Sequence, residues 1–262
     1  MGMRWAVMAV LCGLACAGLA NASVPQSAQN AYHAGAYERT VTLCDAEGSA
    51  ASLAFAAQAL IADAITRPGG FCEPCLRRAI AKADQAIQRD PQRVDGYLQK
   101  SIAIGFRGRA IGVSQARAEG LADEAQALLE HAVAMAPANA WAQASLGAWH
   151  LEIVQHAGPV LANLMYGASR DKGLQHYRTA LTLDPRSALL QMNFALALLA
   201  MEREDMVTEA TRALEIAVAD ESQDHLVSYT RHQARQLLRA LNDQDLKTVS
   251  RLVRQFQGWQ PQ

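Results

Sequence analysis

Three stretches of the chain end in the same way, with RDP at residues 89–91, MAP at 135–137 and LDP at 183–185. Five and twelve residues before each proline stands a small residue, and two of the three stretches place a bulky residue eight before it. The nine positions are Ala79, Ala83 and Ala86, then Ala125, Leu129 and Ala132, then Gly173, Tyr177 and Ala180. These spacings lie on one face of a helix, where small residues let a second helix approach closely. Proline then ends each helix. The pattern predicts an all-α fold of repeated helices.

This pattern resembles the second helix of a tetratricopeptide repeat, and Leu146-Gly147 resembles the signature of the first helix. The resemblance implies a right-handed solenoid of helix pairs, for which we expect about ten helices. The prolines fall 46 and 48 residues apart, whereas the repeat is usually about 34 residues long. The units therefore carry insertions, one around residues 105–112 and one at 156–169, where the apolar Val160–Tyr166 predicts a short helix or turn.

A narrower resemblance lies in residues 146–149, 165–167 and 177–185. They look like the tetratricopeptide-like region of the regulator-of-microtubule-dynamics family and its bacterial relatives. That resemblance covers roughly residues 75–240 and implies an interaction fold. A role on microtubules does not carry over to a chain that we expect to be exported.

Export is predicted from residues 1–22, because Arg4 precedes an apolar run and Ala20-Asn21-Ala22 provides the small residues of a signal-peptidase site. The remainder, 23–262, is predicted to be one helical-repeat domain. It comprises a degenerate helix pair at 29–66, repeats at 72–218 and closing helices at 223–258. No second long apolar run follows, so we expect no membrane span in the mature chain and a periplasmic location.

The charge balance and the motifs of the sequence argue against nucleic-acid binding, a zinc site and catalysis. With 24 basic and 25 acidic residues, the chain offers no electrostatic reason to bind nucleic acid. None of the seven histidines stands at a spacing typical of a zinc site, and no motif indicates a cofactor or a catalytic nucleophile. We therefore expect a non-enzymatic protein without metal or cofactor.

Three cysteines remain after signal cleavage: Cys44, Cys72 and Cys75. In an oxidising compartment they predict one structural disulfide, either within the Cys72-Glu73-Pro74-Cys75 pair or between Cys44 and one of its members. A thiol–disulfide role for Cys72 and Cys75 is a further hypothesis, although redox sites of this kind follow a strand and no strand is predicted here.

First-helix positions, read from the proline register, predict the residues of the concave groove. They are apolar: Leu98, Ile102, Phe106, Trp141, Leu151, Leu189, Met192 and Leu196. Arg107 and Arg109 lie in the glycine-containing insertion at 105–112 and are candidates for an anion contact. The groove is either open to an apolar ligand or segment, or filled by the insertion at 159–168; we slightly favour filling, because that insertion must bury its own apolar residues.

Two functions follow from this interpretation. The first is an exported scaffold or adaptor that recognises a protein partner through its repeats. The second is a carrier of an apolar ligand, which resembles the periplasmic helix-repeat subunits that accompany some solute transporters. An open apolar tunnel favours the carrier, and a filled groove favours the adaptor.

Overall fold

The computed structural model describes residues 23–67 and 71–259, and within them it contains fourteen α-helices and no strand. In chain order the helices are α1 (Gln26–His33), α2 (Tyr37–Glu47), α3 (Ala50–Thr66), α4 (Glu73–Arg89), α5 (Val94–Ile111), α6 (Val113–Ala118), α7 (Leu121–Met135), α8 (Ala140–Ala157), α9 (Pro159–Tyr166), α10 (Arg170–Leu183), α11 (Ala188–Leu199), α12 (Glu204–Ala219), α13 (His225–Asn242) and α14 (Leu246–Gln257). The predicted all-α repeat fold is confirmed. Among the described residues, no helix is long and apolar enough to cross a bilayer. The predicted signal peptide at 1–22 lies outside them.

The expected number of about ten helices was too low. The region 29–66 holds parts of three helices rather than a pair, because Gly35, with a φ of 76°, separates α1 from α2. The insertion at 156–169 adds the short helix α9. The other short helix, α6, begins at Val113, just beyond the predicted insertion at 105–112, because residues 105–111 continue α5. Each of these two helices follows a glycine with positive φ, 86° at Gly112 and 75° at Gly158. Glycine adopts this conformation readily, so it turns the chain sharply out of a long helix into a short one.

The small residues that recur five and twelve residues before each proline lie where the two helices of a repeat touch. Ala132 and Ala180 are fully buried, and so are most of the others. Helices α8 and α10 approach closely, and a Cβ added to Gly147 would lie 2.8 Å from the carbonyl oxygen of Gly173. The helix pairs α3–α4, α5–α7, α8–α10 and α11–α12 pack in this way. The prolines lie in the turns that follow α4, α7 and α10.

Each of those turns also carries a hydrogen bond that repeats along the chain. Six residues after each proline, a side chain donates to the proline's carbonyl oxygen. The donors are the hydroxyl of Tyr97 at 3.2 Å and Nε2 of Gln143 and Gln191 at 2.8 and 2.7 Å. The two glutamines are buried. These bonds tie the start of each first helix to the turn before it.

The array curves far enough for its last helices to meet its first. Helix α13 contacts α1 and α3. At this junction Nδ1 of His33 lies 2.6 Å from a carboxylate oxygen of Asp224, and the hydroxyl of Tyr37 lies 3.1 Å from Nδ1 of His225. Leu226 packs against the apolar cluster of α1 to α3. The superhelix is therefore closed into a ring.

Candidate ligand-binding cavity

The ring surrounds a cavity of about 410 Å³. Side chains from α1, α3, α5, α7, α8, α10, α11, α13 and α14 line it, so the wall runs all the way around. Its volume lies within the range of roughly 300–1,000 Å³ that is typical of ligand pockets. Seven of its lining residues are aromatic: Tyr32, Phe106, Trp141, Trp149, Tyr177, Phe256 and Trp259.

All eight residues predicted for the groove lie in the wall of this cavity. They are Leu98, Ile102 and Phe106 on α5, Trp141 and Leu151 on α8, and Leu189, Met192 and Leu196 on α11. Alternating helices of a repeat array run parallel to one another, which places equivalent positions of successive units side by side. The structure thus brings the predicted residues together; that they bind a ligand or partner stays a prediction.

The expectation that the insertion fills the groove was wrong. None of the residues 159–168 lines the cavity. Helix α9 instead packs on the outside of the ring, with the small side chain of Ala162 buried against it. At the end of α9, Nε2 of Gln126 donates to the carbonyl oxygen of Tyr166 at 3.2 Å. The larger apolar side chains of α9 face outward, with Val160 81% exposed and Leu164 80% exposed. The insertion therefore leaves apolar surface in solvent rather than burying it in the groove.

The C-terminal segment, residues 256–259, contributes a part of the wall that the sequence analysis did not predict. Phe256, Gln257 and Trp259 line the cavity. Nη1 of Arg109 donates to the carbonyl oxygen of Gln257 at 3.2 Å, and the ring of Trp259 lies 4.4 Å from that of His156. The one available signal in the sequence is an aromatic residue that directly follows a glycine near the end of the chain.

Gly258 allows this segment to fit. Its φ is 88°, and an added Cβ would lie 2.6 Å from the ring of Phe71. Phe71 in turn stacks on Phe106 with ring centroids 5.1 Å apart. The segment therefore rests on a side chain that directly precedes the Cys72–Cys75 pair.

Both arginines proposed for an anion contact are bound to carboxylates of the protein. Arg107 pairs with Glu73 at 3.0 Å and with Glu119 at 2.6 Å, and Glu73 also pairs with Arg77 at 3.1 Å. Arg109 pairs with Glu152 at 2.6 Å. Its guanidinium lies 5.0 Å from the centre of the Phe106 ring. The anion contact stays a prediction, and these ion pairs oppose it.

The disulfide joins Cys72 and Cys75, with their Cα atoms 5.2 Å apart. Of the pairings that the sequence left open, the one within the Cys72–Cys75 pair is therefore formed. Cys44 is free and buried. Burial raises the pKa of the Cys44 thiol to about 11, so this residue is a poor nucleophile near neutral pH. Cys75 is also buried, and it packs with Cys72, Ala64 and Phe106. The redox hypothesis for the pair stays a prediction.

A metal site is neither predicted by the sequence nor evident in the part of the chain that the structure describes. There, no group of three or more histidine, cysteine, aspartate or glutamate side chains is arranged to hold an ion. His150 and His176 stack with centroids 5.8 Å apart, but they have no third partner of this kind.

The helix pairs define a helical-repeat fold of the tetratricopeptide-like type. The chain is similar in structure to a thermophilic tetratricopeptide-repeat protein from Thermus thermophilus, with a TM-score of 0.52 over 78% of this chain and 98% of that chain. The two sequences are 19% identical, so the likeness concerns the fold alone. No family model matches the chain. No curated protein matches it either. These comparisons do not support the narrower resemblance to the regulator-of-microtubule-dynamics family.

Proposed function

We propose that this protein is an exported, non-enzymatic binding protein that holds a small apolar ligand in its central cavity. One observation carries the proposal: eight apolar residues predicted for the groove surround an unfilled cavity of about 410 Å³. A repeat fold of the tetratricopeptide class supports a binding role rather than catalysis.

The closed ring favours a small ligand over a folded partner inside the cavity. An open groove lets a partner's helix or strand lie along its length, as in most recognition of peptides by repeats. Here the contacts of Tyr37 with His225 and of His33 with Asp224 join the two ends of the groove. A molecule inside the ring is therefore contacted by helices around its whole circumference, and pockets of this size usually bury most of a small ligand's surface.

An uncharged dye that fluoresces in apolar surroundings, N-phenyl-1-naphthylamine, tests the proposal directly. We expect saturable binding with one site per chain. Ala148 lines the cavity, so Ala148→Phe places a ring in the cavity and should weaken dye binding by about tenfold, equivalent to roughly 1.4 kcal/mol.

The matched control is Ala134→Phe, because Ala134 lies on the exposed face of α7 and does not line the cavity. Both variants should unfold at temperatures close to that of the unaltered protein. Failure of the unaltered protein to bind the dye, or equal loss of binding in the two variants, would contradict the proposal.

A second candidate function, that of a protein adaptor, is favoured by the outer face of α9. Val160 and Leu164 are about four-fifths exposed, and Leu161 and Met165 are also exposed, which makes a contiguous apolar surface on the short helix. Surfaces of this kind commonly mark contacts with other proteins. The double variant Val160→Ser/Leu164→Ser should lose a partner that the unaltered protein retains in affinity capture from the exported fraction, while its dye binding stays unchanged. Capture that survives the double substitution would exclude α9 as the contact.

Export is supported by the sequence of residues 1–22 and agrees with the Cys72–Cys75 disulfide, since such bonds persist in oxidising compartments. Mass spectrometry of the protein expressed in its full length should find a mature chain that begins at Ser23. An unprocessed N-terminus in the cytosolic fraction would overturn this part of the proposal.

A further inference from the structure

The wall of the cavity contains three charged side chains, and each is paired within the protein. Asp95 lies 2.6 Å from the guanidinium of Arg93. Arg109 and Glu152 pair with each other at 2.6 Å. No charged side chain in the described part of the wall is therefore left unpaired and available to an ionic group of a ligand.

The Arg109–Glu152 pair is held from several sides. Besides the 2.6 Å contact from Nη2, Nε of Arg109 donates to Glu152 at 3.1 Å, which makes the pair bidentate. Nη1 binds the carbonyl oxygen of Gln257, and the guanidinium stacks over Phe106. The two side chains are 17% and 25% exposed. A bidentate pair in partly desolvated surroundings is costly to break, because either charge would be left alone.

A charged ligand has little to gain from such a wall. Its ionic group would lose hydration on entry and would find no opposite charge that is free to pair with it. A competing anion would have to displace Glu152 from Arg109, and a competing cation would have to displace Arg109 from Glu152. An uncharged molecule meets neither cost and still contacts the apolar and aromatic wall.

We infer that the cavity selects uncharged apolar molecules, and that the Arg109–Glu152 pair sets this selectivity. The inference rests on the proposed function. It assigns to the pair a role in discrimination between ligands, because neutralising one partner would leave the other facing the cavity unpaired.

Displacement of N-phenyl-1-naphthylamine by three probes with the same alkyl chain tests the inference. The probes are decanol, decanoate and decyltrimethylammonium, each used below the concentration at which it forms micelles. With the unaltered protein, decanol should displace the dye at concentrations about tenfold lower than either ion, because burying an unpaired charge is strongly unfavourable. Decanoate or decyltrimethylammonium acting as well as decanol would overturn the inference.

The variant E152Q changes the selectivity without enlarging the cavity. It leaves Arg109 charged and unpaired, so decanoate should displace the dye about tenfold better than it does with the unaltered protein. Arg109→Met should shift the preference the other way, towards the cation. Glu209→Gln is the control, because Glu209 pairs with Arg178 at 3.7 Å on the surface and does not line the cavity.

An unchanged order of the three probes in E152Q would also overturn the inference. The order measured with the unaltered protein requires no variant, so the inference stays falsifiable even if E152Q fails to fold. Absence of dye binding to the unaltered protein would instead refute the proposed function, and the two failures are therefore distinguishable.

Discussion

At the scale of single residues, His150 and His176 form a stacked pair outside the cavity, with ring centroids 5.8 Å apart. His150 is 5% exposed, and its Nδ1 has no hydrogen-bond partner among the described residues. Burial lowers the pKa of His150 to about 4, assisted by repulsion from His176 when that ring is protonated in acid and from Lys172. Burial also lowers the pKa of His176. Both rings are therefore neutral at physiological pH, and protonation works against the packing of α8 on α10.

This lowered pKa predicts that acid destabilises the fold through His150. The unfolded chain takes up the proton near the ordinary pKa of 6.5, whereas the folded chain does so near 4. This contribution to stability is thus complete above pH 6.5, falls as the pH drops from 6.5 to 4 and is constant below that. Between pH 7.5 and 5 the loss through this group should be about 2 kcal/mol.

Urea unfolding at these two pH values measures the effect. In His150→Phe, which keeps an aromatic ring but does not titrate, the loss on acidification should be smaller by that amount. The exposed His232 provides the control, and His232→Phe should retain the full loss. Equal acid sensitivity of His150→Phe and the unaltered protein would refute the assignment.

At the scale of helices, the pairing of α8 with α10 depends on two glycines that face each other. Gly147→Ala should destabilise the protein by roughly 1–3 kcal/mol, because the new methyl group would meet the backbone of α10, which cannot move aside as a flexible side chain can. Gly105→Ala is the matched control, since a Cβ at Gly105 in the interior of α5 meets nothing within 4 Å. That substitution should stabilise the helix by about 0.5–1 kcal/mol. If thermal or urea unfolding found Gly105→Ala less stable than Gly147→Ala, the close crossing of α8 and α10 would not be what determines the cost of a side chain at Gly147.

The helix scale also shows where sequence reasoning succeeded and where it failed. Ala132 and Ala180 were predicted from their spacing to the prolines, and both lie in a helix–helix contact. These two positions could be predicted because helix periodicity and the effect of proline on a helix are local properties of the chain. The hydrogen bonds from Gln143 and Gln191 to the proline carbonyls were not predicted, although the six-residue spacing is visible in the sequence. Helix α9 was placed correctly along the chain and wrongly in space, because apolar content alone does not tell which surface covers a segment.

At the scale of the whole molecule, closure of the ring turns what would otherwise be an open groove into a central cavity. Gly35 lies at the junction with a φ of 76°, and a Cβ there would lie 2.6 Å from the ring of His225. Gly35→Val should therefore separate α1 from α13 and weaken binding of the dye by about fivefold or more, which corresponds to roughly 1 kcal/mol. Small-angle scattering should find a larger radius of gyration.

Gly48→Val provides the control for backbone strain. Gly48 has a φ of 73°, close to that of Gly35, but the nearest atom to its added Cβ is a backbone oxygen at 3.7 Å. Both variants thus carry the same conformational cost, and the clash with His225 belongs to Gly35 alone. Similar dye binding by the two variants would show that closure of the ring does not matter for the cavity.

Local spacing along the chain was sufficient to predict the helical repeat, the insertion that holds α9 and the eight apolar residues that line the centre. Each of these depends on residues within one or two helices. Closure of the ring, the role of Gln257 and Trp259 in the wall, and the pairing of Arg109 with Glu152 were decided by the tertiary structure. They depend on the small rotation between successive repeats, which accumulates over the whole array and brings together residues as far apart as Tyr37 and His225. No local pattern encodes this accumulated rotation. The sequence therefore predicted an apolar groove, and the tertiary structure joined the two ends of that groove into a ring around a cavity.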